Sequence, residues 1–240
     1  MKYGIQLYSM RDLASENFEA AVKKAAELGY GMIEFAGFFG RSAEDVTALL
    51  KETGIEVFGT HSGAQELIND FEGAVKFHKA IGNTRFIIPG FPLGNKEEID
   101  TFVDILNKYQ PMLEKEGIEL GYHNHSSEFL PTKDGYIPEY ELAARTNVKF
   151  EIDTYWAYNA GQDPVAVMEM YKDRLISIHI KDGFEGGRGM PLGKGSAPVA
   201  AVYAKALELN VPMVVESETC NPSGAAEAEI CIDYLKSLEK

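Results

Sequence analysis

Strand-like and helix-like segments alternate along this chain from one end to the other, and this alternation constrains the fold more than any other feature. Eight short segments rich in β-branched, apolar and aromatic residues each precede a segment with the spacing of an amphipathic helix. The predicted strands are Tyr3–Ser9, Tyr30–Gly37, Ile55–Gly63, Thr84–Gly90, Ile118–Asn124, Val148–Thr154, Leu175–Asp182 and Val211–Glu218. The predicted helices are Ser15–Gly29, Ser42–Gly54, Glu66–Gly82, Asn95–Gly117, a short one that ends at about Thr146, Pro164–Arg174, Pro198–Asn210 and Ala225–Lys240.

Eight such βα units favour one closed barrel. Alternating strands and helices imply a parallel sheet covered by helices, and eight units of roughly 30 residues favour a single (β/α)8 TIM barrel. An open doubly wound α/β sheet is the alternative, but no G-x-G-x-x-G follows the first strand and no P-loop occurs in the chain. No linker or change in composition divides the sequence, so we predict one α/β domain over residues 1–240.

The charge and composition exclude several classes of partner. The formal net charge is −14, which argues against nucleic acid or an anionic membrane because both are bound through clustered Lys and Arg. The two cysteines do not form a disulfide framework, and no apolar run reaches the roughly 18–20 residues needed to span a bilayer. The N-terminus lacks a signal-peptide pattern. We expect a cytoplasmic protein that acts on a small molecule, and its oligomeric state stays open.

Acidic and imidazole side chains follow the apolar bodies of the predicted strands. The active site of a TIM barrel lies at the C-terminal ends of its strands, so these side chains should converge there. They are Glu34, His61, His123, His125, Asp153, His179, Lys181, Asp182, Glu216 and Glu218. A set of His, Asp and Glu without Cys suits a catalytic divalent metal ion such as Mn, Mg, Zn or Co. The remaining histidine, His78, falls in the middle of a predicted helix and is expected at the surface.

Four stretches, "YHNHSSEF", "EIDTYW", "IHIKD" and "VVESE", resemble the xylose-isomerase-like TIM-barrel superfamily. This group contains sugar-phosphate isomerases, ketose 3-epimerases, hydroxypyruvate isomerase, inosose dehydratase and the endonuclease IV branch. The resemblance covers nearly the whole chain and implies one divalent metal held by Glu, Asp, His and Glu at the ends of strands five to eight. Asp153, His179 and Glu216 match the last three ligands. For the first ligand, His123 stands where ketose epimerases have Glu, and Glu128 is the other candidate.

The resemblance also implies the class of reaction. We expect a sugar isomerase or epimerase that acts on a keto-sugar, a sugar phosphate or a related polyol through an enediolate. Loss of a β-hydroxyl group, as in inosose dehydratase, is the alternative. Two further alternatives are a barrel that binds a sugar without turning it over and an endonuclease, which the net charge of −14 disfavours.

The roles of individual residues follow from that reaction. A carboxylate takes a proton from carbon, imidazoles with an ordinary pKa of about 6.5 act as acids near neutral pH, and a lysine stabilises the oxyanion. The residues expected to be catalytic are Glu128, Glu216, His123 and Lys181. Those expected to contact substrate are His61, His125, Trp156, Glu34 and Arg188, and Trp156 stands where many relatives have His. The Gly-rich segment Gly186–Gly195 is expected to be either a lid or a series of turns.

Overall fold

The computed structural model of the protein, which describes residues 1–239, is a closed barrel of eight parallel strands. In chain order the strands are β1 (Gly4–Gln6), β2 (Met32–Ala36), β3 (Glu56–His61), β4 (Arg85–Ile88), β5 (Glu119–His123), β6 (Lys149–Asp153), β7 (Leu175–Ile180), β8 (Asp182–Phe184), β9 (Arg188–Met190) and β10 (Met213–Val215). Strands β1 to β7 and β10 form the barrel, which closes where Gly4 of β1 pairs with Val214 of β10. The predicted fold, a single (β/α)8 TIM barrel, is confirmed.

Helices cover the outside of the barrel. They are α1 (Arg11–Glu16), α2 (Phe18–Leu28), α3 (Ala43–Thr53), α4 (Ala64–Asn69), α5 (Phe71–Ala80), α6 (Lys96–Lys115), α7 (Pro138–Arg145), α8 (Thr154–Asn159), α9 (Pro164–Tyr171), α10 (Val199–Leu209) and α11 (Gly224–Leu238). The predicted end of the last helix, Lys240, lies outside the described residues. Within residues 1–239, none of these helices combines the length and apolar character needed to cross a membrane.

The ends of the first helices illustrate how local chemistry sets the boundaries. Helix α3 begins with a capping box, in which the Ser42 hydroxyl and the Asp45 carboxylate each bond the other's backbone N–H. The prediction that Ser15 begins the first helix is wrong. Asn17 interrupts that segment because its backbone is extended and its side chain accepts a hydrogen bond from the N–H of Ala20, so α2 begins after it.

The Gly-rich segment after β7 is partly ordered as a hairpin. Strands β8 and β9 pair antiparallel through Phe184 and Arg188, at the end of the barrel where the strands finish. Asp182 ties the segment down, since its carboxylate accepts hydrogen bonds from the N–H groups of Gly183, Gly195 and Ala197. The segment is therefore anchored at its base by one buried carboxylate.

His78 is buried, and the expectation that it lies at the surface is wrong. Its imidazole packs edge-on against the ring of Phe86. Both of its ring nitrogens have polar neighbours, Glu66 Oε1 at 3.1 Å from Nε2 and Asn83 Nδ2 at 3.1 Å from Nδ1. A polar ring can occupy the inner face of a helix when its nitrogens are satisfied in this way.

The inside of the barrel is polar where its outside is apolar. Strand β6 shows the alternation: Phe150 and Ile152 pack outward against the helices, while Glu151 and Asp153 point inward and are fully buried. TIM barrels usually fill their interior with bulky branched side chains. Burying a carboxylate costs free energy unless the group is paired. The polar interior of this barrel is therefore better explained by a functional site than by the stability of the fold.

Candidate metal centre and active site

Four side chains from four strands converge at the C-terminal end of the barrel. We call them the ligand tetrad, and they are His123, Asp153, His179 and Glu216. One potential ligand atom from each lies within 4.8 Å of all the others. Nδ1 of His179 is 3.3 Å from Oε2 of Glu216 and 4.0 Å from Oδ2 of Asp153, which is in turn 3.6 Å from Nε2 of His123.

The tetrad contains buried polar atoms that lack partners. Both ring nitrogens of His123 and Oδ2 of Asp153 have no hydrogen-bond partner within residues 1–239. Burial lowers the pKa of His123 to about 4, so its ring is neutral at pH 7 and offers a lone pair. Buried polar groups without a partner are rare in native proteins. These nitrogen and oxygen donors fit a divalent metal ion with mixed imidazole and carboxylate ligands.

Local structure aims the Asp153 carboxylate. Its Oδ1 accepts a hydrogen bond from the backbone N–H of Trp156 at 2.9 Å and so caps helix α8. The cap and the proposed metal role are therefore compatible, because capping uses one oxygen and leaves Oδ2 directed at the tetrad.

Lys181 is buried beside the tetrad. Its Nζ lies 3.0 Å from Oε2 of Glu216, 3.4 Å from Oδ2 of Asp153 and 2.7 Å from Oε2 of Glu218. Burial acts to lower the pKa of Lys181, but these carboxylates outweigh it and raise that pKa above its usual range. Each carboxylate oxygen has more than one lone pair, so the ammonium group and a metal ion can share them.

A second group of side chains lies deeper in the barrel. We call it the deep quartet, and it consists of Glu34, His61, Glu151 and His179. Nε2 of His179 is 2.8 Å from Oε2 of Glu34 and 3.0 Å from Oε1 of Glu151. Nε2 of His61 lies 2.8 Å from Oε1 of Glu151 and 3.3 Å from Oε2 of Glu34. His179 thus belongs to both groups, with Nδ1 in the tetrad and Nε2 in the quartet.

The surroundings of the two carboxyl groups in the quartet shift their pKa values in opposite directions. Burial and the charge of Glu151 raise the pKa of Glu34. Burial acts in the same direction on Glu151, but the imidazoles of His179 and His61 hold the pKa of that carboxyl well below its usual range. The quartet therefore concentrates negative charge on Glu151, next to two imidazoles.

An open cavity of about 330 Å³ lies above the tetrad. Its walls differ in chemistry: imidazoles come from β3 and the end of β5, and carboxylates come from the end of β10. The lining residues are Tyr8, Ala36, His61, Pro89, His123, His125, Glu216 and Glu218. A small ligand in this cavity would lie between nitrogen bases on one side and carboxyl groups on the other.

Not every predicted site residue lies at this cavity. Glu128 is buried outside the tetrad, where its oxygens accept hydrogen bonds from the Tyr122 hydroxyl at 2.7 Å, the Ser127 hydroxyl at 2.8 Å and the N–H of His125 at 3.0 Å. Of the two candidates for the first ligand, the structure brings only His123 to the other three.

Two residues that were predicted to contact substrate, Trp156 and Arg188, lie at different distances from the tetrad. The Trp156 ring lies 4.6 Å from Nζ of Lys181, and its indole N–H has no hydrogen-bond partner in the described part of the chain. Arg188 lies exposed on the β8–β9 hairpin and does not line the cavity. The cavity as it stands therefore places Trp156 near the tetrad and leaves Arg188 outside it.

Sequence reasoning missed three polar residues inside the barrel: Glu151, Ser177 and Gln6, all fully buried. Strict alternation along β6 could have found Glu151, because it is two residues before Asp153 and so faces the same side. Glu218 was noted in the sequence without a role, and it contacts Lys181 and lines the cavity.

Comparison with known proteins agrees with this geometry. Residues 22–238 match the family model described as xylose isomerase-like TIM barrel. The chain belongs to this family. The resemblance drawn from the four sequence stretches is thereby confirmed.

The curated relatives that match this chain are distant from it in sequence. A curated inosose dehydratase from Geobacillus kaustophilus (strain HTA426) is 24% identical over 189 residues, which cover 68% of this chain and 61% of the relative. The chain thus matches less than two thirds of that relative's length.

Several solved structures superpose closely on this chain. A sugar phosphate isomerase/epimerase from Parabacteroides distasonis ATCC 8503 has a TM-score of 0.83 at 24% identity, covering 98% of this chain and 93% of that one. A D-allulose 3-epimerase from Methylomonas sp. has a TM-score of 0.73 at 15% identity, covering 99% and 98%. At these identities the likeness establishes the xylose isomerase-like fold and no more.

Proposed function

We propose that this protein is a divalent-metal-dependent isomerase or epimerase that acts on a keto-sugar, a sugar phosphate or a related polyol through an enediolate. The observation that carries the proposal is the ligand tetrad with its unpartnered buried atoms at the floor of an open cavity. The similarity to a sugar phosphate isomerase/epimerase supports the substrate class.

The charge of the site supports a bound cation. Within the described chain, Lys181 is the ammonium group that touches the site's carboxylates. Lys181 contacts three of the carboxyl groups, those of Asp153, Glu216 and Glu218. The site also contains the carboxyl groups of Glu34 and Glu151. A divalent metal ion held by the tetrad would act as a Lewis acid that polarises the carbonyl group of the substrate.

The carboxyl groups at the end of β10 differ in proton affinity. Burial acts to raise the pKa of Glu216, but Lys181 and His179 hold it well below the usual range, so this carboxylate is ionised and can take a proton from carbon. Burial raises the pKa of Glu218, so of these two carboxyl groups it is the one that more readily carries a proton. Two carboxyl groups whose environments push their pKa values apart are a common acid–base pair.

The opposite wall offers a second route for the proton. His125 lies across the cavity, with its ring centroid 5.0 Å from that of His123. Delivery of a proton from Glu218 to the neighbouring carbon of the enediolate would complete an isomerisation. Delivery of a proton from His125 to the original carbon, on the face opposite to the one that lost it, would complete an epimerisation. Lys181 would stabilise negative charge that develops on oxygen.

Dehydration is a second candidate because the curated relatives that match this chain include inosose dehydratases. The same first step serves it, since an enediolate next to a β-hydroxyl group can expel that group as water. Glu218 would then donate its proton to the leaving oxygen rather than to carbon.

The decisive experiment measures metal content and substrate chemistry in matched variants. We expect about one divalent metal ion per chain in the wild type, since the tetrad would hold a single ion, and we expect its loss in Asp153→Asn and Glu216→Gln. Glu128→Gln is the control: it is a buried glutamate outside the tetrad, and it should keep the metal. A result in which Glu128→Gln loses the metal and Asp153→Asn keeps it would reverse the assignment of ligands.

The reaction class is then read from a panel of keto-sugars, sugar phosphates and 2-keto-inositols in D₂O, followed by NMR. Deuterium at the carbon next to the carbonyl, with inversion of its configuration, identifies an epimerase. Transfer of the carbonyl to the neighbouring carbon identifies an isomerase, and loss of a hydroxyl group identifies a dehydratase. A metal-loaded protein that exchanges no carbon-bound proton with any member of the panel would contradict the proposal.

A further inference from the structure

The deep quartet holds one nitrogen of a proposed metal ligand. Nε2 of His179 lies within 3.0 Å of two carboxylate oxygens, one each from Glu34 and Glu151. Its other nitrogen, Nδ1, faces Glu216 and Asp153 at longer distances of 3.3 and 4.0 Å. The ring proton is therefore best accommodated on Nε2, where two acceptors are close, and this leaves the Nδ1 lone pair for the tetrad.

Both carboxylates are themselves held in place. Gln6 Nε2 donates a hydrogen bond to Oε2 of Glu34 at 2.7 Å. The Ser177 hydroxyl donates to Oε2 of Glu151 at 2.5 Å, which leaves Oε1 of that residue for the imidazoles. All of these side chains are fully buried. Gln6 in turn accepts a hydrogen bond from the N–H of Tyr8 at 3.0 Å. Packing and hydrogen bonds therefore fix the orientations of both carboxylates.

The backbone is irregular at these same two positions. The pairing of β2 with β3 shifts register between Ile33 and Glu34, which places Glu34 opposite Gly59. The pairing of β6 with β7 shifts between Phe150 and Glu151, which places Glu151 opposite Ser177. An extra residue in a strand re-aims the side chains that follow, and such bulges are frequent beside functional sites.

Each bulge also sets the direction of a histidine. His61 lies two residues after Gly59 in β3, so the two face the same side of the sheet. His179 lies two residues after Ser177 in β7 and faces the same side as that residue. A β-carbon at Gly59 would lie 3.2 Å from Oε1 of Glu34, so glycine leaves the room that this carboxylate occupies. Two separate pairs of strands thus have the same irregularity, and in each pair the glutamate beside it lies against Nε2 of His179.

We infer that Glu34 and Glu151 are positioning residues that hold the Nε2–H group of His179 and thereby aim its Nδ1 at the metal centre. This inference rests on the proposed metal-dependent function. Partners of this kind fix the ring orientation of a metal-ligating histidine and increase its basicity, and their loss typically costs about 10–100-fold in metal affinity. His61 contacts both glutamates and lines the cavity, so it connects this support to the substrate side.

The test is a metal-affinity series on the full-length protein. Mn²⁺ is titrated into metal-free wild type, Glu34→Gln, Glu151→Gln and the double variant. Each single variant keeps one carboxylate on Nε2–H and should lose about 10-fold in affinity, while the double variant should lose up to about 100-fold. Ser177→Ala, which leaves Glu151 charged but frees its orientation, is the milder variant if the others fold poorly, and it should fall between the wild type and Glu151→Gln.

A matched control exists elsewhere in the chain. Glu66 touches Nε2 of His78 at 3.1 Å, a glutamate–histidine contact of the same geometry outside the barrel interior. Glu66→Gln should leave the affinity for Mn²⁺ within about 2-fold of the wild type, since it removes no partner of His179.

A second measurement reports on the ring proton directly. In protein labelled with ¹⁵N-histidine, the His179 Nε2–H group should give a ring signal protected from exchange with water, and the double variant should lose that protection. If the wild type bound no divalent metal, the proposed function would fail, while this signal would still decide the positioning role.

Three results would overturn the inference. The first is a double variant that binds Mn²⁺ as tightly as the wild type. The second is an unchanged ring N–H signal in that variant. The third is a stoichiometry of two metal ions per chain in the wild type, of which Glu34→Gln and Glu151→Gln lose one, because the deep quartet would then be a metal site of its own.

Discussion

Glu139 provides the sharpest test of how this protein balances buried charge. It lies in the first turn of α7, it is fully buried, and neither of its carboxylate oxygens has a hydrogen-bond partner in the described chain. Burial raises its pKa to about 8, the charge of Glu128 adds to that rise, and Arg174 opposes it. The nearby hydroxyl of Tyr171 is also without a partner among residues 1–239.

The consequence for stability has a definite sign. A carboxyl whose pKa is higher in the folded than in the unfolded protein binds its proton more tightly when folded, so it contributes most at low pH. That contribution falls as the pH rises from about 4.5, where the unfolded chain loses the proton, to about 8, where the folded protein loses it. Over this range the loss amounts to roughly 5 kcal/mol, which is comparable to the whole stability of many domains.

Comparison of Glu139→Gln with the wild type isolates this effect. Glutamine has nearly the same shape and cannot ionise, so the stability difference in its favour should grow by several kcal/mol between about pH 4 and about pH 9. The assay is urea unfolding followed by circular dichroism at a series of pH values. Glu141→Gln, on the same helix but paired with Arg145 at 3.3 Å, is the control and should show no such growth. A difference between wild type and Glu139→Gln that stays constant with pH would refute the reasoning.

Two further substitutions test the site and its loop. Lys181→Met leaves the carboxylates around the ligand tetrad without their ammonium group, so the free energy of unfolding of the metal-free protein should fall by about 3–5 kcal/mol. Added Mn²⁺ should then raise the melting temperature of the variant more than that of the wild type. An equal rise in both proteins would contradict this prediction. Asp182→Ala removes the acceptor of the buried Gly183 N–H and of the part-buried N–H groups of Gly195 and Ala197, and it should cost about 1–3 kcal/mol. Limited proteolysis should cut that variant faster within residues 183–197, and an unchanged cleavage pattern would count against the anchoring role.

Much of the architecture could be predicted from the sequence because the two periodicities are strong and local. Eight apolar strands alternate with helices that carry capping residues, and this pattern is sufficient for a closed barrel. Residues at strand ends could be predicted to converge for the same reason, since parallel strands of a barrel finish at one face. Asp153, His179 and Glu216 do meet there, although they come from three different strands.

Tertiary packing decided what the sequence left open. Glu128 is only five residues from His123 in the chain, but the short 3-10 helix Ser127–Phe129 turns it toward the hydroxyl of Tyr122 and away from the barrel axis. His78 shares the buried face of its helix with Ala74 and Val75, so helical spacing could have indicated its burial. What the spacing could not show is that Glu66 and Asn83 satisfy its ring nitrogens. Such partners are distant in sequence or lie across a turn, so periodicity alone does not reveal them.

The bulges explain why the polar interior was only partly visible in the sequence. Strict alternation along β7 would put Leu175, Ser177 and His179 on one face, yet Leu175 packs outward in the core while Ser177 bonds Glu151 inside the barrel. The register shift at this point changes the phase of the strand, and the one between Ile33 and Glu34 does the same for β3. A regular barrel would bury apolar side chains at these positions at no electrostatic cost. Both shifts instead accompany a buried glutamate, Glu34 in one pair of strands and Glu151 in the other, that lies beside Nε2 of His179. This common target indicates that the irregular backbone serves the chemistry of the site rather than the stability of the fold.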